Sequence, residues 1–354
     1  MITINKHTSF KLYLSFIAIA TAIVFFSCKK FVDIDPPVNQ VISNVVFTSD
    51  GMATSAVTGI YSEMMSSSGK FSAGEVTIYA GLSADELTTA SNNNREEFLK
   101  NQITIFNHPT LLSVFWDKAY KFIYTANVCL EGLEQSSDLT PSLKTKLIGE
   151  CKFVRAFCYF HLINLFGDVP LTTVSDYRIN AVLPRTDKSS IYQQMVADLK
   201  DAKRLLTPEY PTADRVRPNK RTAAALLARV YLYRNEWANA EAEADSIISD
   251  GNYTLEDSLN KVFKKTSTEA IWQLMPVNTT FNNTWEGNIF IPPQTTSFYL
   301  TNTLLNSFEP GDSRRIIWVG TRNISPTEIR YYPLKYTVKL ASTTSEYYMV
   351  FRLA

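Results

Sequence analysis

The chain has 354 residues, with 35 basic and 34 acidic side chains for a formal net charge of +1. It has no long basic run, which excludes a nucleic acid or other polyanion as the expected partner. Hydrophobic residues make up 45% of it, an ordinary share for a folded domain.

At the N-terminus Lys6, His7 and Lys11 precede an uncharged run from Leu12 to Phe26, about fifteen residues long. That is the length of a signal-peptide hydrophobic region and too short to span a bilayer comfortably. Phe25-Phe26-Ser27-Cys28 follows directly and resembles the lipobox of bacterial lipoproteins, with a small residue before the cysteine. Residues 1–27 are therefore expected to be a signal peptide, with Cys28 the lipidated (palmitate-bearing) new N-terminus. The plainer alternative is a signal or short anchor in which Cys28 is incidental. One acyl chain holds a protein only marginally and two or three hold it almost permanently. Residues 28–41 carry Lys29, Lys30 and the Pro36-Pro37 pair and read as a tether.

Residues 42–354 remain for a helical domain of ample length to bury a core. Gly74 to Arg95 is poor in large apolar residues and ends in Asn92, Asn93 and Asn94, which reads as a long loop. From Leu111 to Glu134, Phe115, Ala119, Phe122, Ala126, Leu130 and Leu133 recur at steps of three and four, the spacing of one helical face. Thr140-Pro141 offers a helix start, Leu143, Leu147, Cys151, Val154, Cys158, Leu162 and Leu165 its stripe, and Gly167 with Pro170 its stop. A third helix is expected after Asp187 on Ile191, Met195, Leu199, Ala202 and Leu206.

Lys220 to Gly251 reads as a helical hairpin. Ala224, Leu227, Ala228 and Tyr231 face inward on its first helix, and Trp237, Ala240, Ala244 and Ile248 on its second. The small facing residues are similar to the tetratricopeptide pattern, and such a hairpin is expected to stack on the two helices between Leu111 and Phe166. The repeat-like part thus covers about 111–251, and a loop-rich, incomplete part about 252–354. There, Ile271-Trp272-Gln273-Leu274 is strand-like, and Asn278 to Leu300 is a long irregular excursion rich in aromatics. Cys129, Cys151 and Cys158 lie within apolar helical patterns and read as buried small hydrophobes.

Arg155-Ala156-Phe157, Tyr159-Phe160 and Leu165-Phe166-Gly167-Asp168-Val169-Pro170 resemble the signature of SusD/RagB-type outer-membrane lipoproteins. Further blocks fall in the family's order: Phe47 through Ile60-Tyr61, Ala84-Asp85-Glu86-Leu87, Trp116 with Ala126-Asn127, Asp198-Leu199, and Ala228-Arg229-Val230-Tyr231-Leu232. The resemblance implies a mainly all-α fold of tetratricopeptide-like hairpins with long loops and minor β structure. It further implies a lipid-anchored protein of the outer membrane, facing the cell surface, that captures glycans for a SusC-like TonB-dependent transporter. Family chains usually run well past this end, and Phe351-Arg352-Leu353-Ala354 looks like the start of a helix that the family continues. A truncated chain with exposed apolar surface is the expectation.

No catalytic constellation or metal-ligand spacing emerges, so no cofactor and no metal are called for. His161 sits beside a core stripe and reads as a packing residue. Asp85 with Glu86 supplies two acids for glycoside cleavage, but neighbours in sequence point apart; the bland reading is that they order a loop. Sugar binding asks instead for flat aromatic faces and polar edges. One loop offers Asp85, Asn92, Asn93, Asn94 and Arg95. A second offers Phe281, Asn282, Asn283, Trp285, Phe290, Phe298 and Tyr299. Trp285 is expected to be exposed and is the leading ligand contact, while Phe290, Phe298 and Tyr299 serve equally as core of a small subdomain. Trp116, Trp237 and Trp272 are read as packing residues. Three alternatives to glycan capture stay open: peptide capture on the same architecture, a surface glycoside hydrolase, and a repeat-type scaffold binding another protein.

Overall fold

In a computed structural model of the chain, residues 43–66, 71–89, 95–104, 111–277, 282–292 and 298–354 are described. The expected signal and tether segments, Cys28, Asn92, Asn93, Asn94 and Phe281 lie outside them. Among the described residues no helix is long and apolar enough to cross a membrane.

The helices begin where the sequence caps them. Helix α1 (Asp50–Met65) starts at Ser49, whose side chain accepts from the Met52 amide. After α2 (Glu75–Ser83), a π-helical turn at Leu111–Trp116 leads into α3 (Asp117–Gln135). Helix α4 (Pro141–Phe166) has its proline in the first turn, where no amide hydrogen is missed, and stops at Gly167 with φ of 71°. Asp187 caps α5 (Lys188–Leu205). Asn219 and Thr222 form a reciprocal capping box on α6 (Lys220–Tyr233), and α7 (Trp237–Ile248) closes the hairpin.

Helix α4 is the centre of the bundle. From Phe153 to Phe160 every side chain is buried, because α3 packs on one side and α5 on the other. Inside this layer lies a polar network. The Arg155 guanidinium donates through Nε to Asp198 Oδ2 at 2.8 Å, through Nη2 to Asp198 Oδ1 at 2.6 Å and through Nη1 to Asn127 Oδ1 at 2.9 Å. Asn127 in turn donates to the Thr172 and Val174 carbonyls, and so fixes the segment that leaves α4. A second buried pair, Glu150 with Arg217, also receives the Tyr61 hydroxyl. Cys129, Cys151 and Cys158 are buried free thiols. Trp272 is fully buried, edge-on to Phe153 and Phe157.

Several expectations are corrected. Gly74–Arg95 is not one long loop: Ile78, Tyr79 and Leu82 give α2 a buried face, and β1 (Leu87–Thr89) follows. The hairpin stacks on α5 and only grazes α4. Trp237 is 60% exposed and Ile248 62%. The inner residue is Ile247, because α7 is the last helix of the row: it packs mainly on α6 and reaches α5 through the Lys203–Glu243 ion pair at 2.7 Å. The excursion 278–300 contains α8 (Trp285–Phe290) and β3 (Phe298–Leu300). The chain's final stretch is a strand, not a nascent helix. β6 (Tyr348–Arg352) pairs antiparallel with β2 (Ala270–Leu274), setting Phe351 opposite Trp272 and burying it. Its aromatic and β-branched residues suit that half-buried position. Between them β4 (Val319–Ser325) and β5 (Glu328–Pro333) form a hairpin.

Candidate functional site

The two loops singled out for sugar contact are brought together. Strands β1 and β3 pair antiparallel, with Leu87 opposite Leu300 and Thr89 opposite Phe298. The Arg95 guanidinium lies over the Phe298 ring at 4.8 Å and near the Tyr79 ring at 6.0 Å. Helix α8 is pinned to α2 by two side-chain bonds: Thr77 Oγ1 donates to Glu286 Oε1 at 2.6 Å, and Trp285 Nε1 donates to Glu75 Oε1 at 3.1 Å. Gly74 makes this close approach possible. With φ of +105° it adopts a left-handed turn, and a Cβ there would stand 2.9 Å from Glu286 Cγ.

The join leaves two clefts that share Leu300. The first, about 400 Å³, is walled by Thr77, Glu286, Phe308, Trp318, Lys335 and Tyr336 among others. Burial pushes the Glu286 carboxyl above its usual range, opposed by the Thr77 hydrogen bond and the Lys335 charge. Trp318 is held by its Nε1 bond to the Leu259 carbonyl at 3.0 Å and by the edge of Phe263. The second cleft, about 450 Å³, is walled by Thr88, Thr89, Tyr299, Asn302, Arg330 and Tyr331 among others. Its cation sits on one of its rings, Arg330 lying 4.8 Å over Tyr299, and Arg315 from outside the lining lies 4.6 Å over Tyr331. Together they offer aromatic surface edged by hydroxyls, a carboxyl and guanidinium groups, the combination that packs on sugar faces and bonds their hydroxyls.

The individual residues fare differently. Trp285 is half-buried rather than exposed, since its ring nitrogen is spent on Glu75. Phe290 is 2% exposed and edge-on to Phe298, so its ring belongs to the core. Tyr299 is 5% exposed, yet lines the second cleft. Asp85 sits at φ of 58°, ending α2, and its carbonyl accepts from Thr301 Oγ1. The asparagines of the second loop are structural. Asn282 donates to the Ala341 carbonyl, and buried Asn283 bonds Thr343, Ser345 and Glu346 backbone groups. Sequence reading missed Trp318, Arg330 and Tyr331. The Arg330-Tyr331-Tyr332 run was the available signal, a cation beside two rings.

A helical-hairpin bundle that carries loop-built, aromatic-edged clefts is the class of protein this structure defines. Residues 30–232 match the SusD-like family model described as "Starch-binding associating with outer membrane", over half of the chain, and the chain belongs to that family. It is 28% identical over 262 residues to SusD-like protein P25 of Formosa agariphila, covering 70% of this chain and 49% of that one. It is 31% identical over 219 residues to SusD-like protein P2 of the same organism, covering 60% and 42%. The chain thus spans about half the length, or less, of these curated relatives. Among solved structures, a laminarin-binding SusD-like protein shares the fold with a TM-score of 0.73 at 19% identity, over 87% of this chain and 78% of that one. A SusD superfamily protein from Bacteroides vulgatus gives 0.72 at 19% identity, over 82% and 69%. The cleft residues from Trp285 onward lie beyond the stretch that the family model matches.

Proposed function

We propose that this protein is a non-enzymatic nutrient-capture lipoprotein, held at the cell surface of the outer membrane by acyl chains on Cys28, that binds oligosaccharides and passes them to a SusC-like TonB-dependent transporter. The observation that carries the reading is the β1–β3 join, which gathers Arg95, Tyr299, Arg330 and Tyr331 around one strand pair. Family membership and the laminarin-binding neighbour support a glycan as the ligand, and Asn92, Asn93 and Asn94, adjoining Arg95, are proposed to reach it too. Trp285 contributes chiefly by holding α8, and with it Glu286, in place. Transfer to the transporter and the anchored, surface-facing position rest on the resemblance and on the Phe25–Cys28 pattern.

The test is calorimetric titration of the protein with maltoheptaose and laminariheptaose, then chromatography of the recovered sugar. Saturable binding of intact sugar that weakens about tenfold in an Arg330→Ala/Tyr299→Ala variant is the expected result. Cleaved sugar would establish a hydrolase instead, and binding untouched by that variant would move the site elsewhere.

A further inference from the structure

A separate groove of about 390 Å³ runs along the N-terminal half of α3. One wall is Trp116, Tyr120 and Tyr124, spaced four residues apart and so stacked on one helical face about 6 Å per step. The other is the segment that leaves α4: Pro170, Thr172, Ser175, Tyr177, Asn180 and Ala181. Tyr124 is 52% exposed and Tyr177 76%. No lining residue is charged, and the volume lies in the range of about 300–1,000 Å³ usual for small-ligand sites.

The groove is built rigidly. Tyr120 donates its hydroxyl to the Pro170 carbonyl at 2.6 Å, and Asn127 holds the Thr172 and Val174 carbonyls at 3.2 Å each. Ser175 is fastened through its amide and hydroxyl to Glu131. The Arg185 guanidinium lies 5.5 Å over the Trp116 ring. One polar group is left over. Asn180 donates through Nδ2 to the Val174 carbonyl at 2.8 Å, while its buried Oδ1 meets no donor among the described residues. A buried acceptor without a partner is costly and is met by a donor from the groove, a water or a ligand hydroxyl.

We infer that this groove is a second carbohydrate-binding site, in which pyranose rings lie on the Tyr124 and Tyr177 faces and a sugar hydroxyl donates to Asn180 Oδ1. The neutral lining disfavours an ionic ligand, and a purely apolar one would leave Asn180 unmet. Aromatic faces edged by an acceptor fit a neutral polyol with apolar ring faces. The inference shares the ligand class of the proposed function but none of its residues. Two sites on one chain would hold a long glycan with an effective concentration that neither site achieves alone.

Fluorotryptophan labelling of the full chain lets each site report separately by ¹⁹F NMR, with Trp116 for the groove and Trp318 for the first cleft, each assigned by its Phe variant. Titration with maltoheptaose and laminariheptaose should shift the Trp116 resonance saturably, and should still do so in the Arg330→Ala/Tyr299→Ala variant. In a Tyr124→Ala/Tyr177→Ala variant the Trp116 response should require about tenfold more sugar. Both tyrosines are largely exposed, so the fold survives their loss. A Trp116 signal that stays silent while Trp318 responds overturns the second site and leaves the first standing. Silence at Trp116 together with no saturable binding by calorimetry overturns both, and an unchanged Trp116 response in the tyrosine variant overturns the groove assignment.

Discussion

Arg155 of α4 and Asp198 of α5 meet as a two-bonded ion pair with side-chain exposures of only 7% and 1%. Both belong to the blocks that carry the family resemblance, as does Asn127, the third member of the network. Their role is architectural: they clamp three helices and, through Asn127, the segment that walls the α3 groove.

Removing one partner strands the other. Asp198→Ala should destabilise the fold by about 3–5 kcal/mol, because it leaves an uncompensated guanidinium in the core. Urea unfolding followed by circular dichroism measures this directly. A loss under about 1 kcal/mol would show that water reaches Arg155 and that the pair is effectively a surface one.

His161 is packed against Phe71, Phe157 and Phe160, and burial lowers its pKa from 6.5 to about 4. The unfolded chain therefore takes up this proton near pH 6.5, while the folded chain resists until about pH 4. Stability from this group is complete above pH 6.5 and falls as the pH drops toward 4. His161→Gln should flatten the midpoint-versus-pH curve within that window and leave the carboxylate-driven loss below it. Parallel curves for the two proteins would refute the assignment.

Trp285 anchors α8 with its ring half-buried, and two substitutions separate anchoring from any contact with the ligand. Trp285→Phe keeps a ring but loses the bond to Glu75, so it should lower the melting temperature by a few degrees, equivalent to about 1 kcal/mol. Sugar affinity should barely change. Trp285→Ala should lower both, since α8 and Glu286 lose their seat. Lost affinity at unchanged melting temperature in the Phe variant would instead place the indole N–H on the ligand.

Lipidation is tested in cells fed an alkyne-bearing palmitate analogue. The wild-type chain should take up the label and Cys28→Ser should not, with the variant released from the membrane fraction. Equal labelling of both would remove the anchor from the proposal.

The helices were legible because their signals are local. Asp187 and Asn219 announce caps, Gly167 a stop, and apolar steps of three and four a buried face. Exposure was less legible, as Trp237 shows. Which helix ends the row depends on what packs next to it, which no window along the sequence contains. β6 was misread for a related reason, since Phe351 alternates and repeats in ways that suit helix or strand until β2 is seen beside it. The two aromatic loops stand out by composition, but that they meet is set by the β1–β3 pairing. That Phe290 turns inward while Arg330 and Tyr331 turn to the cleft follows from the β1–β3 and β4–β5 pairings, whose partners lie far apart in the sequence.

Thr77 and Glu286 are 209 residues apart, and Trp285 and Glu75 are 210. A chain emerging N-terminus first can build α1 and the α3–α6 bundle from neighbouring segments, but it cannot close these contacts until most of its length is available. The first cleft is thus among the last features to form, and the α3 groove, made from residues 116–181, among the earlier ones. Oligosaccharide recognition at the first cleft would then report that synthesis has passed Met349: a chain stalled before Trp285 can form the α3 groove but not this cleft.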